Sequence, residues 1–280
     1  FEPDVDDEEG DPETWRKVQP HLGVTVYEDF YKSEYQKALY SADDALEFRT
    51  KLLNIFASNS ATTWIEAKQI EERFKKVQIE NITSKPPTMV GVDLSVRDDF
   101  STVTYNLYSV DSRSFHSYTD YYFPDGALEK HPNCELYKGW VKAGYLKLCK
   151  GDIIDYQQIV DDILKMANYL CIMGIGYDPY KSAEFVNLLS SSVGGEADII
   201  NPVKQTYGTF TSPVESFEIA IYSNKISFDP NPITPYCFAN AILDEDRNCN
   251  KKPIKKTHNA KIDSTITNLM TFHLFNNLTS

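Results

Sequence analysis

The sequence predicts an α/β fold with a mixed sheet flanked by helices, preceded by a small helical segment. Three observations predict it. Met89–Leu94, Thr102–Val110 and Ser114–Phe123 read as strands joined by short links, the pattern of an antiparallel meander. From Asp155 onwards strand-like and helix-like stretches alternate, as they do where strands join a sheet through crossover helices. Before Pro86 the apolar residues recur at helical spacing instead.

Residues 1–14 are acidic and poor in apolar side chains, and read as a solvated linker. From Tyr27 to about Lys76 the spacing is helical: Phe30, Tyr31, Tyr35 and Leu39, then Leu46, Phe48, Leu52 and Leu53, with Ser41 or Asp43 as an N-cap between two helices. Ser84-Lys85-Pro86-Pro87 breaks the chain, which places a boundary between a segment 1–85 and a domain 86–280. After the meander come a short helix over 134–143 and a strand near Tyr145–Cys149. Asp155 then caps a helix that carries Ile159, Ile163, Met166, Ala167 and Leu170 on one face. Cys171–Tyr177 is an apolar strand, Ser182–Leu189 a helix and Ile199–Val203 a strand. Ser212-Pro213 opens a helix to Tyr222 with proline in its first turn. Asn231-Pro232 precedes a helix through Leu243, a lysine-rich excursion follows, and Ile262–Leu278 is the last helix. The sequence contains no internal repeat.

With 280 residues, 41% of them apolar and 25% charged, the composition is that of a globular protein with room for a substantial core. No apolar run approaches the ~20 residues of a membrane span, so no membrane partner is expected. The first residues, Phe1-Glu2-Pro3-Asp4, offer no basic region, apolar core or initiator Met; they read as part of a longer polypeptide and not as a signal peptide. Five cysteines without a Cys-x-x-Cys pair read as reduced thiols of a cytoplasmic protein, and no histidine stands at zinc-ligand spacing from them.

A net charge of −13 argues against avid nucleic-acid binding, but the charge is unevenly spread. Residues 1–13 hold eight acids and no base, which leaves 33 acids against 28 bases, or −5, in the remainder. Between Arg247 and Ile262 there are six Lys or Arg and no acid.

Three aspartates stand at the ends of apolar runs: Asp93 in Gly91-Val92-Asp93-Leu94-Ser95, Asp178 in Tyr177-Asp178-Pro179, and Asp263 in Lys261-Ile262-Asp263-Ser264. A strand that ends at a sheet edge presents its last side chain to the crevice where α/β proteins bind ligands, and Pro179 holds Asp178 extended. Asp263 has a plainer alternative as a helix cap, and Asp178 as a turn residue. Taken together the three carboxylates suit Mg²⁺ or Mn²⁺, hard cations that prefer oxygen ligands. Two such ions ~4 Å apart activate a water and stabilise the leaving oxygen of a phosphodiester. Lys251, Lys252, Lys255, Lys256 and Lys261 would then hold DNA phosphate beside Asp263, or form only a solvated hairpin. His258 either assists the water or faces solvent.

These residues resemble the large terminase subunit of tailed bacteriophages, in its C-terminal nuclease domain of ribonuclease H-like fold. The match takes in Gly91-Val92-Asp93-Leu94-Ser95 with Asp98-Asp99, Gly139-Trp140 through Asp155, Tyr177-Asp178-Pro179, Asn231-Pro232, Asn240, Asp246, Pro253-Ile254-Lys255 and Lys261-Ile262-Asp263, from about Trp15 to the C-terminus. The resemblance implies an endonuclease that cuts concatemeric viral DNA at genome packaging with two Mg²⁺ or Mn²⁺ ions. It implies metal-ligand roles for Asp93, Asp178 and Asp263, and an auxiliary acid at Asp99, for which Asp98 competes. It also implies double-stranded DNA, a small terminase subunit and a portal as partners, in the cytoplasm of a bacterial host. A full-length large terminase has an ATPase motor; no Gly-x-x-x-x-Gly-Lys-Ser/Thr occurs here, so residues 1–85 would be the linker and helices that trail it. The alternatives are another ribonuclease H-like nuclease, such as a junction resolvase or transposase, and an assembly module that does not cut.

Overall fold

The computed structural model describes residues 3, 4, 7–39, 48–54, 63–97, 99–180, 182–257 and 260–279. Its contacts fall into two units, residues 1–62 and 63–280.

In the first unit, α1 (Pro12–Val18) is capped by Asp11, whose side chain accepts from the Glu13 amide. It is followed by α2 (Glu28–Ala38) and a π-helical turn at Phe48–Leu52. Trp15, Tyr31, Phe48 and Leu53 are buried together as a small core. The continuous helical spacing read over Tyr27–Lys76 is therefore broken into separate pieces. The cap assigned to Ser41 or Asp43 lies outside the described residues.

The second unit opens with α3 (Ala67–Glu71) and contains a mixed seven-stranded sheet. Its strands are β1 (Pro87–Asp93), β2 (Ser101–Ser109), β3 (Ser114–Pro124), β4 (Lys147–Cys149), β5 (Cys171–Tyr177), β6 (Ile200–Pro202) and β7 (Ile226–Phe228). The order is β4-β3-β2-β1-β5-β6, with β7 also paired to β3. The first three strands form the predicted antiparallel meander, and β5 adds to β1 in parallel. This is the ribonuclease H-like arrangement.

Helices α4 (Asp125–Leu128), α5 (Cys134–Lys142), α6 (Tyr156–Met166), α7 (Ala183–Val193), α8 (Tyr207–Tyr222), α9 (Ile233–Ala239) and α10 (Asp263–Thr279) complete the unit. Asp155 caps α6 as predicted, accepting from the amides of Gln157 and Gln158. Alternation along β1 sends Val90 and Val92 into one core with Ile159, Ile163 and Phe185 of α6 and α7. Met89 joins the other core, with Phe217 of α8 and Leu269, Met270 and Phe272 of α10.

Three sequence expectations differ from the structure. The second unit begins at Thr63, ahead of the Pro86-Pro87 break. Ile65 and Ile70 are fully buried in the larger core, and the Trp64 amide donates to the Ala241 carbonyl at 2.9 Å. The helix expected to open at Ser212-Pro213 starts at Tyr207, because Thr206 caps it by accepting from the Thr209 amide. Pro213 thus lies inside α8, where its missing N–H leaves the Thr209 carbonyl without a helical donor; the His273 ring of α10 hydrogen-bonds to the Thr209 backbone instead. Finally, the helix after Pro232 stops at Ala239. Residues Ala241–Glu245 (β8) pair with Lys251–Lys255 (β9) as an antiparallel hairpin, so the lysine-rich excursion is half of a ribbon.

Candidate active site

The site lies where β1 and β5 end and α10 begins. Val92 pairs with Tyr177 in the parallel ladder, which sets the next residue pair, Asp93 and Asp178, side by side at the same edge. Asp93 shares its face of β1 with Gly91, against which the backbone of α10 is packed too closely for any side chain. Its carboxyl is pushed up to about 7, first by burial, then by the Asp178 and Asp99 charges, with Lys255 opposing. Asp178 accepts from the Tyr180 amide at 2.9 Å through Oδ1, which aims its carboxylate around the Pro179 turn.

Asp263 is the first residue of α10 and only 7% exposed. Its Oδ2 is buried and has no hydrogen-bond partner, so the plain helix-cap alternative does not account for this oxygen. Burial, then Asp99 and Asp93, hold the carboxyl well above the ordinary carboxylate range. A buried, partnerless carboxylate oxygen among other acids is an arrangement that costs stability unless a cation or proton compensates it.

Asp99 sits in the loop between β1 and β2, tied down by Ser95, whose hydroxyl donates to the Asp99 carbonyl at 2.6 Å. Its carboxylate takes Lys255 on Oδ2 at 3.0 Å and Lys261 on Oδ1 at 2.8 Å. The competing Asp98 lies outside the described residues, as does His258.

The five lysines are not equivalent. Lys255 and Lys261 point at the acids, and Lys261 is 8% exposed. Although burial opposes its charge, Asp99 and then Asp263 and Asp93 hold the Lys255 ammonium above its usual range. Lys252 stands 4.4 Å over the Tyr207 ring. The Lys251 amide donates to Thr211 and the Lys256 amide to the Asn240 carbonyl, so the ribbon is fastened to α8 and to the end of α9. Lys256 is exposed.

Asp93 therefore feels the charges of Asp178 and Asp99, and Asp263 those of Asp99 and Asp93. Among the described residues, however, no three acidic, His or Cys side chains are grouped so as to hold a metal ion. The unpartnered Oδ2 of Asp263 and the upward push of burial and neighbouring acids on Asp93 and Asp263 are what fits a cation. The sequence reading gave no role to Thr102, Thr104 and Asn106, buried polar residues at every second position of β2. Polar residues at alternate positions of a strand otherwise apolar enough to be central were the available signal.

A family model described as “Terminase large subunit, endonuclease domain” matches residues 1–277. Protein YmfN of Escherichia coli (strain K12) is 27% identical over 285 aligned positions, which take in 95% of this chain and 60% of that protein. Among solved structures, the HK97 bacteriophage large terminase superposes with a TM-score of 0.67 at 19% identity, covering 98% of this chain and 56% of that one. The large terminase nuclease from thermophilic phage G20c does so with a TM-score of 0.50 at 7% identity, covering 77% of this chain and 98% of that one. At these identities the structural likeness concerns the fold. The chain spans 60% of the curated relative's length and 56% of the HK97 chain.

Proposed function

The chain belongs to the terminase large subunit endonuclease-domain family, and on that premise we propose that it is a divalent-metal-dependent DNA endonuclease. Its substrate is concatemeric viral DNA at genome packaging. The observation that supports the reading is the buried Asp263 oxygen left without a partner within electrostatic reach of Asp93, which ends β1 beside the end of β5. Asp93, Asp178 and Asp263 would hold two Mg²⁺ or Mn²⁺ ions, which when bound supply an activated water and neutralise the leaving oxygen.

The chain's own residues do the rest. Asp178, fixed by the Tyr180 amide, keeps its carboxylate at the strand edge. Asp99 gathers Lys255 and Lys261 against the acids, so positive charge is stored where a phosphate must approach. Lys251, Lys252 and Lys256 extend that charge along the ribbon toward the DNA backbone. The longer machine, with its motor, a small subunit, a portal and a bacterial cytoplasm as its setting, is part of the same proposal.

The absence of a ready three-acid group among the described residues favours one rival, a packaging-assembly module that does not cut. The family match leaves the junction-resolvase reading without support. Nicking of supercoiled plasmid in Mn²⁺, in Mg²⁺ and in chelator decides between cutting and not cutting. Cleavage is expected only with metal, and Asp93→Asn, Asp178→Asn and Asp263→Asn should each lose it. A wild-type chain that binds DNA and never nicks it would establish the assembly role.

A further inference from the structure

Helix α10 runs along β2, and polar side chains meet across the gap in a regular series. Asn106 donates through Nδ2 to Thr271 Oγ1 at 3.0 Å. The Thr104 and Thr267 hydroxyls are 2.7 Å apart. Each step of this series is two residues on the strand and four on the helix. The two advances match, ~7 Å along a strand against ~6 Å along a helix. Continued once more, the series brings Thr102 level with Asp263.

That third rung is open. The Thr102 hydroxyl and Oδ2 of Asp263 are both buried and both without partners, although Thr102 is 0% exposed. The ladder registers agree with the placement. Thr102 pairs with Asp93 on one side and Tyr121 on the other, and the Tyr121 hydroxyl, hydrogen-bonded to Thr234, is close enough to Asp263 to feel its charge. Thr102 thus lies in a row that runs from one proposed metal ligand to the helix start bearing another.

For the fold alone, valine would be the better residue here. It has threonine's shape and buries no unpaired hydroxyl. Locally unfavourable choices of this sort concentrate at functional sites.

Resting on the metal-dependent reading, we infer that Thr102 is a positioning residue for Asp263. Its hydroxyl donates to Asp263 Oδ2 when that carboxylate engages a divalent cation, closing the third rung and fixing the ligand's orientation. A hydrogen bond of this kind to a metal-bound carboxylate is worth roughly 10–100-fold in metal affinity.

The test uses the full 280-residue chain as wild type, Thr102→Val, Thr102→Ser and Thr102→Ala. The readouts are Mn²⁺ affinity by titration calorimetry, melting temperature, and plasmid-nicking kcat and KM. Thr102→Val should bind Mn²⁺ about 10-fold more weakly, melt no lower than wild type, and lose kcat with KM for DNA unchanged. Thr102→Ser should recover the affinity and Thr102→Ala should not. Wild-type affinity in Thr102→Val overturns the assignment of Thr102 alone. So does a loss of affinity in all three variants that tracks a fall in melting temperature, since that is a packing effect. A wild-type chain with no Mn²⁺ affinity removes the nuclease reading, and this inference with it.

Discussion

A methyl group added to Gly91 would stand 2.2 Å from the Thr267 carbonyl oxygen. The strand that carries Asp93 and the helix that carries Asp263 therefore touch backbone to backbone, two residues before one acid and one turn after the other. Gly91→Ala cannot be absorbed by a side-chain rotation, because the obstacle is main chain. We expect a loss of about 3 kcal/mol, the upper part of the range for overpacking, read as a lower urea midpoint at unchanged slope. Cleavage should fall further than stability, since any retreat of α10 carries Asp263 with it.

Burial, and then the charges of neighbouring aspartates, raise the carboxyls of Asp93 and Asp263 in the folded chain. The sign follows from proton counting. Between the ordinary carboxylate range and the raised folded values, the unfolded chain has released protons that the folded chain still holds, so stability falls as pH rises. For Asp93 that window closes near pH 7, and the raised Asp263 carboxyl acts with the same sign. Without divalent metal, the melting temperature should be lower at pH 8 than at pH 5. Mn²⁺ should remove much of the difference, and Asp263→Asn should flatten the metal-free profile while abolishing cleavage. A metal-free protein that grows more stable from pH 5 to 8 would contradict the raised carboxyls.

Replacing Lys251, Lys252, Lys255 and Lys256 together with alanine should weaken DNA binding and flatten its dependence on salt. Each lost phosphate contact removes ~0.9 from the slope of log affinity against log salt. Fewer than four contacts should disappear, because Lys255 is engaged with Asp99 and Lys252 with Tyr207. An unchanged slope, measured by fluorescence anisotropy across a salt series, would mean that DNA approaches from elsewhere.

A polypeptide beginning at Thr63 should fold and melt cooperatively, whereas one beginning at Lys85 should be markedly less stable. The second removes Ile65 and Ile70 from the core, and removes the backbone bonds of Trp64 to Ala241 and of Lys75 to Phe228. Equal melting temperatures for the two would restore the boundary at the prolines.

The sheet was legible because its signals are local. Apolar alternation, short links and Asp155 as a cap each need only a few neighbouring residues, and β1 to β5 stand within a residue or two of their predicted ends. The element ends that Asp93, Asp178 and Asp263 mark were legible for the same reason, each beside an apolar run. Pro86-Pro87 misled because a proline pair breaks an element without ending a core, and Ile65 and Ile70 find their partners more than a hundred residues away on α8 and α10. Ile242 and Leu243 read as the continuation of a helix because what makes them a strand is pairing with Ile254 and Pro253 across the ribbon. The open rung at Thr102 depends on the register between a strand and a distant helix, which no local pattern contains.

Pro213 gives α8 a backbone that it cannot complete by itself. The vacancy at Thr209 is met by His273 from α10, and α8 in turn anchors β9 through Thr211. These contacts join two helices and a ribbon, which are therefore expected to open as one cooperative unit. Amide hydrogens in the first turns of α8 should exchange in step with those of α10, and a fluctuation that lifts Asp263 away from the sheet should loosen the lysine ribbon in the same event.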